Sequence, residues 1–187
     1  EEITPYTVRN QFRSKPEGWP LIQIGPGVAT VNITPPYTWT EFKRIIKFFG
    51  PNLYESYDGV VPEEPNYKLH FNSVLLRYIN GIEWDWSTKN TLEFLLSKLN
   101  TKIELPPKIA EENREVCPLN LNLQIGYPYP EPKGQSIIRI GTGTIGQSKG
   151  IVLELLFLSS GNDAPQLDNI ELFMKWVTDA HAVIEKS

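Results

Sequence analysis

Leu119-Asn120-Leu121-Asn122-Leu123-Gln124-Ile125 alternates apolar and amide side chains without a break. A period of two puts the leucines on one side of an extended chain and the amides on the other, the pattern of a strand with one buried face. The fold therefore contains a sheet whose second face is polar. Ile137 to Thr144 and Ile151 to Ser159 follow as further strand patterns, so the stretch opens a three-strand meander. The chain closes with Asn162 or Asp163 starting a helix whose stripe is Ile170, Phe173, Val177 and Ile184.

Working toward the N-terminus, Leu69 to Asn80 is a long strand with apolar residues on both sides, Phe71, Leu75 and Ile79 against Val74, Leu76 and Tyr78. Two apolar faces predict a central strand. Asn90 and Glu93 then cap a helix carrying Leu92, Leu95, Leu96 and Leu99. Upstream, Tyr6 to Arg13 alternates as a strand, and Leu21 to Ile24 and Val28 to Asn32 flank Gly25-Pro26-Gly27 as a tight hairpin. Thr38-Trp39-Thr40-Glu41 has capping-box spacing ahead of a stripe of Trp39, Phe42, Ile45, Ile46 and Phe49, with Gly50-Pro51 expected to stop the helix. Lys102 to Pro118, with three prolines and Glu111, Glu112 and Glu115, reads as a surface connector.

The order is three strands and a helix, one strand and a helix, then three strands and a helix. It predicts a single α+β domain over residues 1–187, a curved, mainly antiparallel sheet of about seven strands with three principal helices on one face. The recurrence of the three-strand-plus-helix unit suggests a pseudo-repeat.

Composition excludes several functions. A length of 187 residues and 40% hydrophobic content suit one cored domain. A net charge of -4 argues against general nucleic-acid binding, which needs clustered cations to displace counterions. No apolar run reaches membrane-spanning length, and a single cysteine forms no internal disulfide, so a cytoplasmic setting is expected. The chain starts Glu1-Glu2 without an initiator Met, as a processed chain or a fragment would.

Four segments together carry a resemblance: Gly18-Trp19-Pro20-Leu21-Ile22-Gln23-Ile24-Gly25-Pro26-Gly27-Val28, Tyr37-Thr38-Trp39-Thr40-Glu41-Phe42, Leu76-Arg77-Tyr78-Ile79-Asn80 and Ala180-His181-Ala182-Val183-Ile184-Glu185. In this order they resemble a sporadically distributed family of uncharacterised prokaryotic proteins, over nearly the whole chain. The resemblance implies the same fold order and a cytoplasmic setting. It also implies that this chain is the C-terminal part of a longer protein, because family members usually carry a further N-terminal strand and helix. It assigns no catalytic residue.

The residues themselves offer little for catalysis. Gly141-Thr142-Gly143-Thr144-Ile145-Gly146 matches GxGxxG, but Ile151 to Leu155 reads as a strand where a dinucleotide site needs a helix. The glycines are expected to serve a bulged or closely packed hairpin, with no phosphate bound. His181 lies beside a helix stripe with Glu185 at contact spacing, and Cys117 precedes a proline with no base near it in sequence. Glu63-Glu64 and the Glu111 cluster lack the spacing of a calcium loop. No cofactor or metal is expected.

The polar sheet face is more informative. Asn120, Asn122 and Gln124 face away from the helices, and Arg139 on the next strand can share their side. Arg77 and Tyr78 point to opposite faces, so at most one joins them. Tyr127-Pro128-Tyr129-Pro130-Glu131-Pro132 reads as a stiff loop with two aromatic rings, and Trp84-Asp85-Trp86 as one core ring and one covering the next helix start. The expected function is a non-enzymatic binding module acting through this face, a strand edge or Tyr127 and Tyr129. The alternative is an enzyme or small-ligand protein whose cleft joins Arg77, His70, His181 or Cys117. The absent N-terminal cover predicts an exposed edge and hence a homodimer or a protein partner.

Overall fold

The computed structural model describes residues 7–57, 68–104, 106–108 and 120–186. The chain divides into two compact units, residues 1–70 with 166–174 and residues 71–165 with 175–187. The fold is α+β, with seven antiparallel strands and three α-helices among the described residues. The strands do not form the single sheet expected from the sequence. They form one sheet of three and one of four.

In the first unit, β1 (Asn10–Arg13), β2 (Leu21–Gly25) and β3 (Val28–Asn32) pair in chain order. Gly25 stands opposite Val28, so Pro26 and Gly27 make a two-residue turn. Gly27 has φ 71°, and proline followed by a positive-φ glycine is the signature of a type II turn. Helix α1 (Trp39–Ser56) begins with the hydroxyl half of the expected cap, the Glu41 amide donating to Thr38 Oγ1 at 3.1 Å. It does not stop at Gly50-Pro51. Leu53 is buried one turn beyond Phe49 and Gly50, so the apolar stripe continues past the proline. A Cβ at Gly50 would lie 2.9 Å from Leu167 Cδ2, which shows a close approach rather than a chain break.

In the second unit, β4 (Ser73–Glu83), β5 (Asn122–Pro130), β6 (Lys133–Ile145) and β7 (Ser148–Ser160) are arranged β4-β7-β6-β5. The meander β5-β6-β7 appears as read, and β4 adds to its far side. The strand expected to be central is therefore an edge strand. Its two apolar faces have different fates: Leu76 is buried, while Leu75 is 48% and Ile79 58% exposed.

Helix α2 (Thr91–Leu99) starts at Asn90, whose Oδ1 accepts from the Leu92 and Glu93 amides at 3.0 and 3.1 Å. It sets Phe94 and Leu95 against Ile140 and Ile151, with Leu121, Leu123 and Leu153 around them. Helix α3 (Ile170–Ile184) supplies Trp176, whose ring meets Phe157 at 6.0 Å and whose Nε1 donates to Ser159 Oγ at 2.8 Å. Ile151, Phe157 and Ser159 are odd-numbered on one strand and share a face. Both α2 and the C-terminal part of α3 thus cover that face, the leucine side of the alternating stretch.

The glycine motif belongs to strand β6 and its turn. Gly141 and Gly143 stand opposite Val152 and Gly150, and Gly146, at φ 61°, turns the chain into β7. A Cβ at Gly150 would come within 2.3 Å of Ile145 Cδ1, and one at Gly81 within 2.9 Å. The small residues make a shelf on which Ile145 lies. This is the closely packed hairpin expected from the sequence.

Candidate interaction surface

Directly paired residues of an antiparallel sheet share a face, so the face opposite α2 and α3 follows from the register. Gln124 stands opposite Arg139, Arg139 opposite Glu154, and Glu154 opposite Ile79. Arg77, two residues from Ile79 along β4, shares their side.

These residues join into a row across all four strands. Arg139 donates from Nε to Gln124 Oε1 at 2.8 Å, and its Nη1 lies 3.5 Å from Glu154 Oε2. Arg77 Nη2 donates to the other oxygen, Glu154 Oε1. One carboxylate, 17% exposed, is held between two guanidinium groups that are 43% and 44% exposed. The sheet presents a basic row on a rigid support, with the central charge shielded and the outer ones open to water. Exposed Leu75 and Ile79 flank Arg77 on the same face.

The sequence-derived set only partly meets here. Asn122, Gln124, Arg139 and Arg77 share the face, and Arg77 is the member of the Arg77-Tyr78 pair that joins it. Asn120 reaches elsewhere, its Oδ1 accepting from Thr142 Oγ1 at 2.9 Å. Tyr127 and Tyr129 are half-buried residues of β5 rather than of a loop. Tyr129 packs edge-on to Phe157 at 6.0 Å, on the helix-covered face. The turn comes later, at Glu131-Pro132, because Pro130 still pairs with Lys133. Glu154 was not singled out in the sequence, although a lone charge within Ile151 to Leu158 marks a carboxylate that needs a partner.

Of the residues of the enzymatic alternative, Arg77 and His181 do not meet. His181 accepts or donates at Nδ1 with the Tyr78 hydroxyl at 2.8 Å, and its Nε2 lies 3.2 Å from Glu185 Oε1. Tyr78 projects from the face opposite Arg77, so Arg77 and His181 stand on opposite sides of one sheet. His70 is exposed in the first unit. Cys117, Leu119, Tyr6, Glu63, Glu64, Glu111, Glu112 and Glu115 lie outside the described residues. Among the described residues no cluster of three or more His, Cys, Asp or Glu could hold a metal, and no helix is long and apolar enough to cross a membrane.

The Trp84-Asp85-Trp86 turn, just past β4, is built by its aspartate. Asp85 Oδ1 accepts from the Ser87 amide at 3.1 Å, and Oδ2 from Thr88 Oγ1 at 2.8 Å. Hydrogen bonds from the Ser87 and Thr88 side chains, with Lys149 nearby, lower the Asp85 pKa to about 2. Trp84 packs on Phe94 at 4.7 Å, as the core ring of the pair. Trp86 covers the β6–β7 hairpin instead of the helix start, its Nε1 donating to the Gly143 carbonyl at 3.3 Å under Lys149.

The two edges of the sheet differ in their backbone. The Trp84 amide donates to the Lys149 carbonyl, and the Asn72 carbonyl accepts from Gly161, so even-numbered residues near β4 turn their peptide groups to β7. Leu75, Arg77, Ile79, Gly81 and Glu83 therefore present theirs outward, and no strand pairs with them among the described residues. On β5 the Thr142 amide donates to the Leu121 carbonyl, so odd-numbered residues face β6. The outward positions there include Pro128 and Pro130, which have no N–H to offer.

Comparison with protein-family models, curated proteins and solved structures finds no match to this chain.

Proposed function

We propose that the chain is a non-enzymatic, cytoplasmic binding module that engages a protein partner through the Arg77–Glu154–Arg139–Gln124 face and the adjoining edge of β4. The observation that carries this reading is the combination on β4 of backbone groups that no strand pairs among the described residues with exposed Leu75 and Ile79 beside an ordered basic row. An unpaired edge supplies hydrogen bonds to any extended segment, and the side chains alternating along it supply selectivity. The clamp supports the reading further, since guanidinium groups already oriented by Glu154 lose less freedom when a partner docks.

A photoreactive amino acid placed at Ile79, with Lys98 on α2 as the control position, tests this in cells. A discrete adduct from position 79 and none from position 98 is expected. Equal adducts from both positions, or none from 79, would count against the module.

A further inference from the structure

We propose that the partner on the β4 edge is a second copy of this chain, joined by antiparallel pairing of β4 with itself about a two-fold axis through Asn80. The inference rests on reading that edge as a binding surface and adds its occupant and register.

A dyad at Asn80 places residue i opposite residue 160 − i of the second copy. Arg77 then faces Glu83, Tyr78 faces Ile82, Ile79 faces Gly81, and Asn80 meets itself. Each pairing suits the side chains. Glu83 is exposed and carries no ion pair among the described residues, so it can meet Arg77 across the axis. The join extends the charge row to Glu83, Arg77, Glu154 and Arg139, alternating in sign, and the symmetry makes the row twice. Ile79, 58% exposed, meets the glycine over which Ile145 of the copy lies, so the two isoleucines come together beside the axis. Ile82, 36% exposed, gains an aromatic neighbour on the other face.

The backbone agrees with the register. Arg77, Ile79, Gly81 and Glu83 are outward-facing and pair only with one another in this arrangement, so all their N–H and C=O groups are matched. A dyad at Tyr78 would oppose Arg77 to Ile79 and set the two Arg77 side chains on a diagonal. A dyad at Ile79 would oppose Arg77 to Gly81 and leave Glu83 facing Leu75. Only the Asn80 dyad gives each exposed charge its opposite. The β5 edge offers no such match, because its prolines interrupt the outward donors.

Cysteine crosslinking reads the register directly. In a Cys117→Ser background, Asn80→Cys sits at a non-hydrogen-bonded pair on the axis, where Cα atoms lie about 4.5 Å apart and a disulfide closes readily. Ile79→Cys and Ile82→Cys stand off the axis. Oxidation is expected to give disulfide dimer from Asn80→Cys at roughly tenfold the yield of the other two, equivalent to about 1.4 kcal/mol. Light scattering of the unmodified chain should show a dimer that dissociates on dilution, and Glu83→Lys should move that midpoint to higher concentration while leaving the circular dichroism unchanged. Dominant crosslinking at 79 or 82 overturns the register. A monomeric mass at the highest concentration overturns the dimer, and a photo-adduct from Ile79 to a different protein would then leave the binding-module reading standing without it.

Discussion

The two edges of the four-stranded sheet are made of the same backbone and behave as opposites. On β5 the outward positions run Asn122, Gln124, Gly126, Pro128 and Pro130; on β4 they run Leu75, Arg77, Ile79, Gly81 and Glu83. The first edge is blunted by two missing donors, one of the devices by which proteins avoid unwanted pairing. The second keeps every donor and carries apolar side chains that water does not favour. A sheet protected at one end and, among the described residues, open at the other favours a single attachment over open-ended stacking.

An edge kept for association leaves stability to the middle of the sheet, and the largest expected effect is there. Phe157→Ala, at a fully buried ring between Tyr129 and Trp176, should destabilise by about 3–5 kcal/mol. Ile79→Ala should cost less than about 1 kcal/mol when urea unfolding is measured on dilute protein. An Ile79→Ala loss as large as that of Phe157→Ala would show the edge to be a structural strand already covered.

Next in size is Ser159→Ala. Ser159 Oγ accepts from Trp176 Nε1 at 2.8 Å and donates to the Lys133 carbonyl at 2.5 Å, at a fully buried position. Removing it strands a buried donor and deprives an acceptor, so about 1–3 kcal/mol should be lost. Thermal unfolding of the variant checks this, and an unchanged midpoint would mean that water reaches the site. Glu154→Gln is expected to fall in a similar or lower range, because two guanidinium groups would be left without their shared counter-charge.

How these features relate to the sequence explains why some were readable in advance. The Thr38 cap, the Pro26-Gly27 turn and the Leu121 to Gln124 part of the alternation are local: each is decided by atoms a few residues apart, and each forms in the structure. The failures are questions of competition over distance. Pro51 predicts a helix end from its own chemistry, but burial of Leu53 outweighs the lost hydrogen bond. Two apolar faces on β4 predict a central strand, yet no local signal says whether a second neighbour exists. That Glu154 gathers Arg77 and Arg139 depends on a register between strands far apart in the chain, as does the meeting of Tyr78 with His181. The same dependence kept the seven strands from being assigned to two sheets.

A proline exchange tests the edges with a smaller effect on the fold. Pro128→Thr restores an outward donor on β5 without touching the β6 ladder, so unfolding free energy should change by less than about 1 kcal/mol. Its consequence should appear in assembly, as species larger than a dimer in light scattering at high concentration. Ile79→Pro removes an outward donor from β4 and should shift the chain toward monomer. If neither substitution changes the mass, the edges do not govern association.

The smallest effect concerns the turn that ends β4. Asp85 is lowered to about 2 by hydrogen bonds from Ser87 and Thr88, with Lys149 nearby. A depressed folded-state pKa means that the unfolded chain takes up the proton first on acidification. The turn's contribution is therefore complete above the ordinary aspartate value of 3.8 and disappears as pH falls toward about 2. Carboxyl carbon shifts followed by NMR should place the Asp85 midpoint near the lower value. Asp85→Asn should flatten the pH dependence of stability across that window and leave its slope near neutral pH unchanged. A midpoint near 3.8 would show that Ser87 and Thr88 do not hold the carboxylate in solution, and the end of β4, where Glu83 must meet its counterpart, would then be less ordered than the dyad at Asn80 requires.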